Sequence, residues 1–163
     1  MSENKIKYVS GRHVIEPGGF YFGKDEEDIY TLLGSCVAVT MWHPVLHIAG
    51  MCHIILPKRN KELDHTRFAD GAIKKFIQEI ERYNTLPMDY EVGLYGGGDM
   101  FPSFSKKSRE LIGEKNFKET ERLLLLKHFN IKFKDVGGEV ARKLTLNRVT
   151  GTVSLEYVKL QKK

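Results

Sequence analysis

A thiol and an imidazole, Cys36 and His53, lie on two neighbouring β-strands that the sequence predicts. Residues 36–42 and 47–56 are rich in β-branched and apolar side chains, and the segment 43–46 between them carries a turn signal, His-Pro. A four-residue loop at 43–46 places Cys36 directly opposite His53, with Cβ atoms about 4.5–5.5 Å apart on one face. An imidazole at that distance could accept the thiol proton, which is the chemistry of a cysteine nucleophile and its general base.

The same residues also have a structural interpretation. A free cysteine behaves as a small buried hydrophobe, and a lone histidine in a strand is usually a hydrogen-bonded core or surface residue. The flanking Gly34-Ser35 favours the functional interpretation, because glycine lets the backbone approach a ligand closely. The second cysteine, Cys52, is expected on the opposite face from His53, where it fits an inert structural role.

Neither a disulfide nor a metal site is predicted. The two cysteines are expected on opposite sides of the sheet, so their thiols should stay free. Four histidines and a cysteine lie close together in the sequence, but they match no zinc-ligand spacing. These residues are His43, His47, Cys52, His53 and His65. No cofactor is expected either.

Three consecutive glycines, Gly96–Gly98, follow a predicted strand at 90–95. Their backbone N–H groups are expected to be free to approach a ligand or an oxyanion. Gly97 and Gly98, together with Ser35, are therefore candidates for binding the substrate carbonyl. The segment lacks the Lys-Ser/Thr of a phosphate loop and the G-x-G-x-x-G spacing of a dinucleotide loop. A flexible turn is an equally good interpretation.

The elements that must position these residues are mostly strands. Apolar residues recur at three- and four-residue spacing over about 17 residues from Thr66, which predicts a helix capped by Asp64 or Thr66 and ended at Asn84. A second helix is expected from Asn116 to Asn130. The strands are expected at residues 5–15, 29–33, 36–42, 47–56, 90–95, 131–136, 142–148 and 152–160. The pattern predicts an α+β fold, with mostly antiparallel strands in one sheet or in two stacked sheets and the two helices packed on them.

Length and composition indicate one folded domain over residues 1–163. The net charge of +5 is spread along the chain, which argues against a nucleic-acid groove and is compatible with attraction to an acidic protein surface. No apolar run approaches the roughly 18 residues needed to cross a bilayer, and residues 1–8 lack the apolar region of a signal peptide. A cytoplasmic protein without membrane insertion is therefore expected.

With these residues in hand, the chain resembles the CheD family of chemoreceptor glutamine deamidases. Gly-Ser-Cys followed by histidine at this distance, with three glycines downstream, is a specific combination, and further motifs follow in the family's order along nearly the whole chain. The matching segments are Thr31–Val39, Gly50–Pro57, Arg67–Asp70, Gly96–Gly98 with Met100 and Phe101, Ile112 and Gly113 with Asn116, and Asp135–Gly138 with Arg142.

The resemblance implies a hydrolase that converts glutamine side chains of methyl-accepting chemotaxis receptors to glutamate and releases ammonia. A cysteine thiolate is the expected nucleophile, and a thioester is the expected intermediate. Cys36 matches the family's nucleophile and His53 its base. The third catalytic residue of the family is a threonine before the Gly-Ser-Cys, where this chain has Tyr30 and Thr31, and alternation along a strand turns only one of them toward Cys36. The implied fold is similar to that of the cytotoxic necrotising factor toxins, which deamidate a glutamine by the same Cys/His chemistry.

Two other functions fit the residues. One is a regulatory module that docks on a CheC-type phosphatase or on receptors without essential chemistry, and the other is a related thiol hydrolase that acts on another protein amide. Alkylation separates chemistry from docking. An activated Cys36 should react with iodoacetamide much faster than Cys52 below neutral pH, whereas a docking module predicts no such selectivity.

Overall fold

The computed structural model describes residues 11–25, 27–58, 65–102 and 111–159. Within these residues, strands form two sheets and two helices pack on one of them. The strands are β1 (Arg12–Val14), β2 (Phe20–Gly23), β3 (Asp28–Leu33), β4 (Val37–Trp42), β5 (Ala49–Ile54), β6 (Glu91–Gly96), β7 (Ile131–Val136), β8 (Val140–Leu146) and β9 (Val153–Lys159). The helices are α1 (Ala69–Arg82) and α2 (Ile112–Leu126).

The central layer is a five-stranded sheet of order β2-β5-β4-β6-β7. Every residue of β4 and β5 is buried, because one face of this sheet meets the helices and the other meets the second sheet. Successive side chains of a strand point to opposite faces, so neighbours enter different cores. Val39 and Cys52 belong to the core under the helices, whereas Ala38 and Met51 belong to the core between the sheets.

The second sheet has four strands in the order β1-β3-β8-β9. Alternation along β3 decides which of its side chains face the central layer. Ile29, Thr31 and Leu33 are fully buried, whereas Leu32 is 52% exposed on the outer face. The side chain of Thr31 is therefore directed into the space between the two sheets.

The helices complete a three-layer arrangement by covering the outer face of the central sheet. α1 buries the apolar stripe that the sequence predicts, and its fully buried Phe76 contacts the aromatic rings of β2. The ring centroids of Phe20 and Phe76 lie 4.6 Å apart. Phe20, Tyr21 and Phe22 thus belong to a strand, β2, which pairs with β5. No strand was predicted at these residues.

The expected α+β class, the two helices and the mostly antiparallel sheets are confirmed. Only β1 with β3 and β6 with β7 pair in parallel among the described strands. The strands predicted at 142–148 and 152–160 correspond to β8 and β9, which pair antiparallel over their whole length. Of the strand predicted at 5–15, the structure shows β1, and the rest lies largely outside the described residues.

The predicted register of the β4–β5 hairpin is wrong by two residues. His53 lies opposite Ala38, and Trp42 lies opposite Ala49 rather than His47. The connecting loop covers 43–48 instead of 43–46, because the backbone of His43 donates to the carbonyl of Ile48 and closes a wider turn. A slip of two residues keeps every side chain on its expected face, so Cys36 and His53 still share one side of the sheet.

The predicted helix boundaries also need correction. α1 begins at Ala69, with Phe68 at the N-cap and no side-chain cap. The Thr66 hydroxyl instead donates to the carbonyl of Gly18, at 2.6 Å, and the alternative cap, Asp64, lies outside the described residues. α2 begins at Ile112, so Asn116 is an internal helical residue rather than its cap.

Candidate active site

His53 is held in place by a hydrogen bond from the opposite sheet. Thr31 Oγ1 of β3 lies 2.7 Å from His53 Nδ1 of β5, and both side chains are buried. The neighbouring Tyr30 faces away from this site, where its ring packs against the guanidinium of Arg12. Of the two hydroxyl residues that the sequence left open, the structure brings Thr31 to the imidazole.

The hydrogen bonds of Thr31 fix the tautomer of the His53 ring. Thr31 Oγ1 also lies 2.7 Å from the carbonyl oxygen of Ile15. A carbonyl oxygen can only accept, so the single hydroxyl hydrogen goes to Ile15. Thr31 must then accept from His53, which places the ring proton on Nδ1 and the lone pair on Nε2. The ring therefore carries a free basic nitrogen.

Burial keeps this imidazole neutral. Desolvation lowers the pKa of His53 to about 4, because a charged ring would lose its hydration between the two sheets. His53 is only 2% exposed. At neutral pH, the site therefore holds a neutral ring with an unprotonated Nε2, which is the form that a general base requires.

Cys36 lies immediately before β4, at the edge of the core between the sheets. It is partly exposed, and burial raises the pKa of its thiol. Among the residues that the structure describes, no hydrogen bond joins this thiol to His53, although both side chains lie on the same face of the central sheet. The resting pair is therefore a neutral thiol and a neutral imidazole.

The glycine segment holds the loop that carries Cys36. The backbone N–H of Gly97 donates to the carbonyl of Cys36 at 2.8 Å, and that of Gly98 donates to the carbonyl of Gly34 at 2.9 Å. The expectation that these amides are free for an oxyanion is therefore wrong. Within the described part of the chain, no backbone acceptor takes the amides of Ser35 or Cys36.

Asn116 of α2 fixes the same loop from the other side. Its Nδ2 donates to the carbonyl oxygens of Ser35, at 3.1 Å, and Ile55, at 2.9 Å. Asn116 is fully buried. One amide thereby ties the residue before Cys36 to the segment that follows the His53 strand. Helical periodicity could not reveal this role, because it depends on a contact between residues far apart in sequence.

Arg142 of β8 supports the glycine segment. This guanidinium is 3% exposed and donates to Asp135 Oδ1 at 2.9 Å and to the carbonyl of Gly137 at 2.7 Å. The backbone N–H of Gly137 in turn donates to the carbonyl of Gly96. Besides the match to the family motif, one feature of the sequence indicated this network. Arg142 is a charged residue within a segment predicted to form a strand.

Comparison with known families matches the part of the chain that holds the glycine segment, Asn116 and Arg142. A family model described as "CheD chemotactic sensory transduction" matches residues 55–157, which is more than half of the chain. The chain belongs to the CheD family.

Curated relatives align over more of the chain than this family model does. A probable chemoreceptor glutamine deamidase CheD 3 of Dechloromonas aromatica is 37% identical over 88% of this chain and 85% of its own length. A probable chemoreceptor glutamine deamidase CheD of Pseudomonas syringae pv. tomato is 36% identical, over 88% of each chain. A probable chemoreceptor glutamine deamidase CheD 1 of Leptospira interrogans is 33% identical over 87% of this chain and 90% of its own.

Two solved structures superpose on much of the chain. YfiH of Bacillus licheniformis, a hypothetical protein, superposes with a TM-score of 0.46 at 11% identity, over 71% of this chain and 49% of its own. YlmD of Geobacillus stearothermophilus superposes with a TM-score of 0.45 at 12% identity, over 88% of this chain and 61% of its own.

The second cysteine of this CheD-family chain is separated from the candidate site. Cys52 is fully buried under the helices, and desolvation raises its pKa to about 12. Its thiol is free and faces away from His53, as the alternation along β5 predicts. No metal-binding group of three or more His, Cys, Asp or Glu residues occurs in the described ranges, and none of the described helices is long and apolar enough to cross a membrane.

Proposed function

We propose that this CheD-family chain is a protein-glutamine deamidase that converts glutamine side chains of chemoreceptors to glutamate. The names of the curated relatives support the activity and the substrate class. The observation that carries the mechanism is the chain of hydrogen bonds from His53 Nδ1 through Thr31 to Ile15, since it leaves Nε2 unprotonated on the face shared with Cys36.

The proposed reaction begins with a thiol and not with a thiolate. His53 Nε2 accepts the proton of Cys36 while the sulfur bonds to the carbonyl carbon of the glutamine side chain. The protonated ring then gives this proton to the leaving nitrogen, and ammonia departs as the thioester forms. Water, deprotonated by the same nitrogen, cleaves the thioester to glutamate and returns the thiol. One water is consumed for each ammonia released.

The tetrahedral intermediate requires donors for its oxyanion. The amides of Ser35 and Cys36 fit this role better than those of Gly97 and Gly98, because the glycine amides already donate to carbonyl groups. In the proposal, Asn116 and the glycine segment act as positioning elements. They hold the Ser35–Cys36 backbone so that its amides stay in a fixed orientation.

An exposed apolar side chain beside the site supports a protein substrate. Phe101 is 70% exposed, and the preceding Met100 lies close against Gly34. A protein segment bound at this rim would cover the ring and remove its apolar surface from water. We also propose, from the resemblance alone, that the chain works in the cytoplasm on the cytoplasmic helices of methyl-accepting receptors and pairs with a CheC-type phosphatase.

A mass measurement on a chemoreceptor fragment tests the reaction. Cys36→Ala and His53→Ala should each abolish both ammonia release and the mass gain that distinguishes glutamate from glutamine. Cys52→Ala is the matched control, because it removes the other thiol from a site on the opposite face, and it should keep the activity. Full mass gain with Cys36→Ala would exclude the proposed mechanism.

A further inference from the structure

A pocket of about 280 Å³ lies at the end of the two sheets opposite the candidate active site. The six residues of β4 separate the two ends, which corresponds to roughly 20 Å at about 3.3 Å per residue. The loop after β2, the β4–β5 loop and the turn after β8 form its walls. The lining residues are Lys24, Asp25, Leu46, His47, Arg148 and Val149. None of them takes part in the proposed deamidation.

Arg148 is the central feature of this pocket. The side chain is only 4% exposed. Its Nη2 donates to the Tyr21 hydroxyl at 2.9 Å, and its guanidinium carbon lies 4.4 Å from the centre of the Tyr21 ring. The described residues provide no hydrogen-bond partner for its buried Nε and Nη1. Buried donors of a charged group are costly to leave unpaired, so Arg148 is suited to receive an anion.

The charges around the pocket are nearly balanced. Lys24 and Arg148 supply two positive charges against the single carboxylate of Asp25, which leaves one positive charge in the lining. The carboxylate of Asp25 already accepts a hydrogen bond from the Tyr21 hydroxyl, at 3.0 Å. A second carboxylate, that of Asp28, accepts a hydrogen bond from the backbone N–H of Arg148 at 3.3 Å. The unpaired side-chain donors of Arg148, rather than a net positive charge, therefore favour an anionic ligand.

The apolar lining narrows the class of ligand further. Leu46 and Val149 are 42% and 69% exposed at the mouth of the pocket. A hydrated inorganic anion gains nothing from such side chains, whereas a carboxylate on a short aliphatic group would cover them. A pocket of this size is at the small end for ligand sites, which are typically about 300–1,000 Å³.

The geometry points to a second binding site, in which Arg148 and Lys24 bind the carboxylate of a small aliphatic acid or of an acidic side chain and Leu46 and Val149 contact its apolar part. Carboxylates pair well with guanidinium donors, and such charge-assisted bonds are stronger than neutral ones. The site is independent of the proposed deamidase function, because it shares no residue with the Cys36–His53 pair.

The chain contains a built-in reporter for this site. Trp42 is the sole tryptophan, and its ring stacks on the pocket residue His47 with centroids 5.2 Å apart. Titration of the full chain with isovalerate, at constant ionic strength, should give a saturable change in tryptophan fluorescence and a rise in Tm. Inorganic phosphate should give neither at equal concentration.

Variants assign the response to the pocket. Arg148→Met should weaken isovalerate binding by roughly tenfold or more, which is the expected loss for a charge-assisted hydrogen bond. Arg122→Met, which removes an exposed guanidinium on α2, is the matched control and should leave binding unchanged. Lys24→Met removes the second cation at an exposed position and should weaken binding several-fold. It tests the site separately in case Arg148→Met does not fold.

Three results would overturn the site: a response that does not saturate, an equal response in Arg148→Met or Lys24→Met, and stronger binding of phosphate than of isovalerate. An acidic peptide that binds more tightly than isovalerate, with the same dependence on Arg148, would identify the carboxylate as that of a protein partner. Cys36→Ala should bind isovalerate normally, so failure of the deamidation proposal and failure of this one are distinguishable.

Discussion

The side-chain amide of Asn116 on α2 lies 3.1 Å from the carbonyl oxygen of Ser35, the residue before Cys36. Asn116→Asp replaces the donor with a carboxylate that faces the carbonyl oxygens of Ser35 and Ile55. We expect a loss of about 1–3 kcal/mol or more in the free energy of unfolding, because two buried acceptors lose their donor. Urea denaturation measures this change. Glu114→Gln, which alters a partly exposed residue on the same helix, should change stability by less than about 0.5 kcal/mol.

Thr31 positions the His53 ring through a single hydroxyl. Thr31→Val keeps the shape of the side chain but removes the acceptor of the Nδ1 proton, so the ring loses its fixed tautomer. We expect kcat for deamidation to fall about tenfold or more, which corresponds to the loss of one buried hydrogen bond. Thr31→Ser should restore much of the rate. Tyr30→Phe is the control on the adjacent residue, and an equal loss there would contradict the role of Thr31.

Acid should destabilise the fold through His53. Its pKa is lowered by burial from an ordinary 6.5 to about 4. Between these values the unfolded chain binds a proton that the folded chain does not, so the free energy of unfolding rises with pH across this window. The contribution of His53 is fully present above pH 6.5 and is lost as the pH falls to about 4. It amounts to roughly 3 kcal/mol for a buried group.

Urea unfolding at several pH values measures this contribution. His53→Gln removes the titrating group and should flatten the dependence between pH 4 and 6.5, while Cys52→Ala should keep the slope. An unchanged slope in His53→Gln would show that another group causes the acid sensitivity. Deamidation by the unaltered chain should likewise decline as the ring becomes protonated and Nε2 ceases to act as a base.

Alkylation of the two cysteines should differ in rate and in pH dependence. Burial raises the pKa of the Cys36 thiol, so its reaction with iodoacetamide should accelerate above neutral pH rather than below it. This reverses the pH range expected from the sequence. Cys52, with a pKa of about 12 and no exposed surface, should react only on unfolding. Mass analysis of the labelled peptides measures both rates, and rapid labelling of Cys36 at pH 6 would indicate a resting thiolate instead.

Gly97 permits a close backbone contact with α2. Its φ is +66°, and an added Cβ would meet the carbonyl oxygen of Gly113 at 2.6 Å. Gly97→Ala should therefore cost more than the roughly 1–2 kcal/mol of left-handed backbone strain alone, and it should displace the loop that carries Cys36. Gly138→Ala is the control, because φ is +74° there but the nearest atom lies 4.0 Å from the added Cβ. Thermal unfolding of both variants separates backbone strain from steric overlap. An equal loss of stability in the two variants would contradict the close contact.

Much of the site followed from alternation along predicted strands. Period two along β5 correctly separates His53 from Cys52, and the same rule on β3 allows only one of Tyr30 and Thr31 to face the core. Choosing between Tyr30 and Thr31 required the position of the second sheet, because the inner face of a strand is defined by the elements that pack on it. The hydrophobic pattern also could not predict the length of the β4–β5 loop. His47 adopts φ +57°, a left-handed conformation without the glycine that usually signals it.

The contacts that fix the loop before β4 depend on tertiary structure. A run of glycines indicates a backbone with conformational freedom. Only the tertiary structure shows that the amides of Gly97 and Gly98 donate hydrogen bonds to the carbonyl groups of Cys36 and Gly34. Asn116 was misassigned for a related reason. Asparagine is typical of helix caps, and nothing local distinguishes a cap from an internal amide that bridges two distant carbonyl groups.

The stacking of two sheets has a consequence for the newly made chain. Thr31 and His53 meet across the gap between the layers, and among the described strands β3 is hydrogen-bonded to β1 and β8. When the ribosome has synthesised the first hundred residues, Thr31 and His53 are both present. Strand β8, which pairs with β3, has not yet been synthesised. Arg142, which steadies the glycine segment, also belongs to that late strand. The enzyme is therefore expected to remain inert until translation is almost finished.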